Sequence, residues 1–73
     1  MLVKVVFNKK LFKFREEDEK YLLLYNLRCG DIFYITGNAK KILLNLNEKI
    51  EMNVDTEDDI VRVLLLLKII VLT

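Results

Sequence analysis

The strongest constraint on this chain is a change of period at Gly37, inside the stretch Gly30–Leu46, GDIFYITGNAKKILLNL. Before it, Asp31–Thr36 alternates and is rich in β-branched and aromatic residues, the pattern of a half-buried strand. After it, Ala39, Ile42, Leu43, Leu46 and Ile50 recur at helical spacing and make one apolar stripe, with Lys40, Lys41, Asn45 and Glu48 off it. A strand must therefore run almost directly into an amphipathic helix. Sheet is expected before this junction and helix after it.

A chain of 73 residues makes one small domain, 1–73. At that size about 60 % of the unfolded surface is buried, which leaves little room for a deep catalytic cavity. The apolar fraction of 53 % is high for so short a chain, so some apolar surface is expected to be covered by a partner. A net charge of +1 gives no strong pull toward nucleic acid or anionic lipid. The single cysteine, Cys29, cannot form an internal disulfide, which fits a reducing, cytoplasmic setting. The opening MLVKVVFNKK is too short and too charged for a secretory signal. The longest uncharged apolar run, Val63–Leu67, is broken by Lys68, far short of the about 20 residues a membrane span needs.

Leu2–Phe7 and Leu11–Arg15 are β-prone runs separated by Asn8-Lys9-Lys10 and read as a hairpin, its register left open by a turn without glycine. Glu16–Glu19 would be costly to bury and reads as a solvated loop; it lacks the ligand spacing of a calcium loop. Lys20–Asn26 reads as a central strand, and Leu27–Asp31 as the turn after it, with Gly30 able to take positive φ. Cys29 reads as a turn or packing residue, since the chain has no histidine to activate it. Thr36, Gly37 or Asn38 can cap the first helix. Ile50–Val54 is either a short helical turn or an extended connection.

Asp55–Asp59 opens the last helix, with Thr56 and Asp59 spaced like a capping box and Asp58 and Arg62 spaced to pair. From Ile60 to Leu72 only Arg62 and Lys68 are polar. Ile60, Val63, Leu64, Leu67 and Val71 fall on one helical face, the expected core face; Val61, Leu65, Ile69 and Leu72 fall on a second. Either the tail Ile69–Leu72 is a strand or is covered by the N-terminal hairpin, or the second face meets a partner. The unbroken period from Leu64 to Leu72 favours a continuous helix.

This order of strands, the segment Ile-Thr-Gly-Asn-Ala-Lys-Lys-Ile-Leu, and an acidic-capped helix carrying Ile60, Leu64, Leu67 and Ile70 resembles the PqqD-like family over about residues 11–72. Ile35-Thr36 stands where that family has Leu-Asn, and Ala39, Ile42 and Leu43 fall in step. The resemblance implies an α+β domain of small winged helix-turn-helix type: an N-terminal antiparallel sheet, then two or three helices. The short middle helix of that fold has little room between Asn47 and Asp55. The resemblance also implies a function: a recognition element that binds the leader of a ribosomally made precursor peptide and presents it to a modifying enzyme of radical or cyclase/protease type. The leader would add a strand at Asp31, Ile32, Phe33, Tyr34, Ile35 and Thr36, against a wall of Val61, Leu64, Leu65, Lys68 and Ile69. Lys68, or Arg28 beside the turn, would read an acidic leader residue. No cofactor is implied.

A DNA-binding regulator is the rival for a winged fold, but the last helix is acidic at its start and apolar after it, with only Arg62 and Lys68 for phosphates. An enzyme would need a constellation that a chain without histidine, phosphate loop or paired carboxylates does not offer. A homodimer formed through the apolar last helix is compatible with peptide binding.

Overall fold

The computed structural model describes residues 1–73. Its elements are β1 (Leu2–Phe7), β2 (Phe12–Glu16), β3 (Tyr21–Asn26), β4 (Ile32–Thr36), α1 (Gly37–Lys49), β5 (Glu51–Asp55), α2 (Asp59–Leu66) and β6 (Ile70–Leu72). They form a small α+β domain with two antiparallel sheets, ordered β5-β1-β6 and β2-β3-β4. The strands are not all N-terminal, because β5 and β6 follow α1. No short helix separates α1 from α2; Glu51–Asp55 takes the extended alternative.

The expected hairpin between the first two runs does not form. β1 pairs with β5, from Leu2↔Asp55 to Val6↔Glu51, and with β6, from Val5↔Leu72 to Phe7↔Ile70. Asn8 explains the choice: its backbone N–H donates to the Ile69 carbonyl at 2.9 Å and its side-chain amide to the Lys68 carbonyl at 2.8 Å. The link Asn8–Leu11 therefore carries the chain from one sheet to the other. Phe7 and Phe14 close the seam between the sheets edge to face, ring centres 5.1 Å apart. At the other end of β1, Met1 is held by Thr56, whose N–H donates to its carbonyl at 2.9 Å. Asp55 also meets the N-terminal ammonium there; its carboxyl lies below its ordinary pKa, first because it accepts from the Glu57 N–H and then because it accepts from that ammonium.

The junction at Gly37 forms as the period change requires. Thr36 is extended and Gly37 takes φ 60°, so strand becomes helix without a loop. Thr36 occupies the cap position, though its hydroxyl makes no cap bond. α1 packs across both sheets and buries Leu43 and Leu46. These join Val5, Phe12, Leu22, Leu24, Val54, Val61, Leu64, Ile69 and Ile70 in one core. Ile50, at the end of the sequence-derived stripe, is exposed and closes α1 with φ 72°, its N–H donating to the Leu46 carbonyl at 2.9 Å.

The acidic run Glu16–Glu19 is exposed, as expected of a solvated segment, although Glu16 closes β2. Lys40, which lies off the apolar stripe of α1, is nevertheless buried against that run. Its ammonium donates to the carbonyls of Asp18 at 2.8 Å and Glu19 at 2.6 Å, and meets the Glu16 carboxylate at 3.1 Å. Three acceptors satisfy the three donors of the ammonium, which is what makes its burial tolerable. The clamp fixes the β2–β3 turn onto the first turns of α1.

α2 starts and stops differently from the sequence reading. The cap is Asp58 rather than Thr56: its carboxylate accepts from Ile60 N–H at 2.8 Å and Val61 N–H at 3.4 Å. Arg62 approaches Asp59 at 3.7 Å, not Asp58. The helix does not run on to Leu72. Lys68 turns left-handed with φ 61°, its N–H donates to Leu65 C=O at 3.1 Å, and Ile69 N–H donates to Leu64 C=O at 3.0 Å. This pair of bonds is the Schellman arrangement that satisfies the last carbonyls of a helix. It frees Ile70–Leu72 to pair with β1.

Candidate functional site

β3 is the central strand of its sheet, and β4 pairs with it from Tyr21↔Thr36 to Tyr25↔Ile32. The other side of β4 has no strand neighbour. The phase of its hydrogen bonds follows from Asn26, whose N–H donates to Asp31 C=O at 2.8 Å. Bonded and non-bonded pairs alternate along an antiparallel ladder, so Phe33 and Ile35 spend their backbone groups on β3. Ile32 and Tyr34 turn theirs to the open side, where no other backbone group of the chain meets them.

Side chains divide by the same alternation. Phe33 and Ile35 share the core side with their partners Leu24 and Leu22, while Ile32, Tyr34 and Thr36 lie on the outer face. Tyr34 stacks on Tyr21 there, ring centres 5.2 Å apart. Ile35 packs against the core, and Phe33, at the margin, remains 39 % exposed.

Beside the core side of β4 lies an open depression of about 280 Å³ between the β4–α1 junction and α2. Ile35 and Ala39 form one side of it; Ile60, Val63, Leu64, Leu67 and Ile69 form the other. Asp59 is the one charged residue at its edge. The stripe Ile60, Val63, Leu64, Leu67, read from the sequence as the core face, is thus the face that borders this slot. Only Leu64 of the four is fully buried, and Val63 and Leu67 are exposed. The core is served by Val61, Leu64 and the half-buried Leu65. Because α2 is apolar nearly all round, periodicity could not tell the two faces apart.

Of the sequence-derived site residues, Ile35, Leu64 and Ile69 come together on the slot, with Phe33 on the same side of β4. Ile32 and Tyr34 contribute free backbone. Asp31 precedes the strand, and its carboxylate accepts from the Cys29 thiol at 3.2 Å. Val61, 2 % exposed, and Leu65 face the core and do not line the slot. Lys68 lies past the helix end, exposed and outside the slot lining. The sequence reading missed Ala39, Ile60, Val63 and Leu67 as wall residues; the stripe itself was visible, but its assignment to the core hid them.

The arrangement can do one thing chemically. Unpaired N–H and C=O groups on a strand margin accept an extended chain, and an adjacent apolar slot accepts its alternate side chains. Comparison of the chain with protein-family models, with curated proteins and with solved structures gives no match.

Proposed function

We propose that this chain is a non-catalytic, PqqD-like recognition element of winged helix-turn-helix type, which binds the leader of a ribosomally made precursor peptide and presents it to a modifying enzyme. The leader adds as a fourth strand beside β4 and sinks alternate apolar side chains into the slot against α2. The observation that carries this reading is the coincidence of the free Ile32 and Tyr34 backbone groups with a nearly uncharged slot lined by Ile35 and Leu67. The order β2, β3, β4, α1 and, later, α2 supports it, since the resemblance named the same strand and the same helix. β5 and β6 are departures from that family's pattern.

Calorimetry with the leader of a short precursor encoded beside this chain's reading frame tests the proposal. Phe33→Asp places a carboxylate on the slot's side of β4 and Leu67→Asp places one in the slot wall; both parent side chains are already partly exposed, so the domain stays folded while leader binding weakens. Equal affinity for the parent and both variants removes the slot as the binding site. A neighbourhood with no precursor and no peptide-modifying enzyme removes the leader class.

A further inference from the structure

The β2-β3-β4 sheet has a second open margin, at β2. Leu27 N–H donates to Leu11 C=O at 2.8 Å, which sets the phase: Lys13 and Arg15 bond to β3, and Phe14 turns its N–H and C=O outward. Two open depressions flank β2, one on each face of the sheet. The outer one, about 450 Å³, is bordered by Lys13, Arg15 and Tyr25. The inner one, about 270 Å³, is bordered by Phe7, Lys9, Phe14 and Leu27. A third, about 400 Å³, adjoins the inner one through Phe7 and Lys9 and adds Lys10 over a floor that includes Ile50 and Val71.

Four cations line these three depressions and no carboxylate does. Lys9, Lys10 and Lys13 make no ion pair within the chain; Arg15 is held by Glu17. In a chain of net charge +1, this is a marked segregation of charge. We propose that the β2 margin docks an extended, acidic segment of a partner protein whose alternate residues are apolar. Its backbone pairs with Phe14. Successive side chains fall to opposite faces of the sheet and so reach the depressions on both sides of β2. Its apolar side chains fall to the inner face beside Phe14, its carboxylates fall to the outer face beside Lys13, and Lys9 and Lys10 add to the positive field that draws it in. Nucleic acid fits less well, because three free cations neutralise few phosphates. This site is independent of the β4 slot and does not rest on the leader reading.

The test is fluorescence anisotropy at physiological salt with a labelled peptide that alternates Glu with Leu or Phe. Lys9→Glu/Lys13→Glu changes two exposed side chains, and circular dichroism confirms the fold. The double variant binds the peptide at least about tenfold more weakly than the parent, and a Glu-Ser peptide binds the parent about tenfold more weakly than the Glu-Leu one. Phe33→Asp binds the Glu-Leu peptide as the parent does. Equal binding by parent and double variant overturns the proposal, as does absence of binding to the parent. Loss of binding in Phe33→Asp overturns it by moving the peptide to the β4 slot. Tighter binding of an oligothymidylate than of the peptide overturns it in favour of nucleic acid.

Discussion

At the β4 margin the free backbone of Ile32 and Tyr34 lies beside a slot whose one charged neighbour is Asp59; at the β2 margin the free backbone of Phe14 lies among Lys9, Lys13 and Arg15. Backbone chemistry is the same on both sides, so the surroundings decide what each will take. An exposed strand edge invites unwanted pairing, and charged side chains, lysine especially, are a common protection against it. The lysines beside β2 turn away neutral or basic strands and leave that edge open to an acidic one. β4 carries no charge and borders an apolar slot, so it suits an apolar strand. The difference teaches that an open edge alone is weak evidence for a binding site; the charge and the apolar surface beside it say which strand it suits.

The sharpest way to break the comparison is to put a charge on β4, which carries none. Phe33→Asp is expected to weaken leader binding about 100-fold, equivalent to about 2.7 kcal/mol, with circular dichroism unchanged. Leu67→Asp acts in the same direction from the α2 side. Leu65→Asp is not a fair test, because Leu65 packs on the core and a carboxylate there unfolds the domain.

Next in size is Lys40, which anchors the β2–β3 turn. Lys40→Met leaves the Asp18 and Glu19 carbonyls without their donor and is expected to cost about 2 kcal/mol in a urea melt. Affinity at the β4 slot stays close to that of the parent, since the ammonium points to the acidic turn.

Two smaller changes act on the slot wall through the ends of α2. Asp58→Ala removes the cap on Ile60 and Val61 and is expected to cost about 1 kcal/mol by thermal melt. Lys68→Gly relieves a left-handed non-glycine residue and is expected to stabilise by about 1 kcal/mol without changing the core. If Lys68→Gly destabilises instead, the helix stop described here is wrong and α2 runs on.

The strand-to-helix junction was legible because Gly37 separates two different periods on a short stretch. The resemblance pointed to one strand and the terminal helix, and Ile35 of β4 and Leu64 of α2 border one depression. The pairing of β1 was not legible. Leu2–Phe7 alternates correctly for a strand, but alternation does not name a partner, and β5 lies about fifty residues away in sequence. The burial of Lys40 left no trace either, because two of its three acceptors are backbone carbonyls. The end of α2 was missed because Ile69–Leu72 is apolar in a pattern that a helix and a strand both satisfy. The stop is set by Lys68 adopting φ 61°, a conformation that lysine does not advertise.

The central claim is that an extended peptide pairs with β4, and amide hydrogen exchange read by NMR tests it directly. On saturation with the leader peptide, exchange at Ile32 and Tyr34 is expected to slow markedly, with Phe14 unchanged. Unchanged exchange at Ile32 and Tyr34 in the saturated complex, or slowing at Phe14 in their place, contradicts the account.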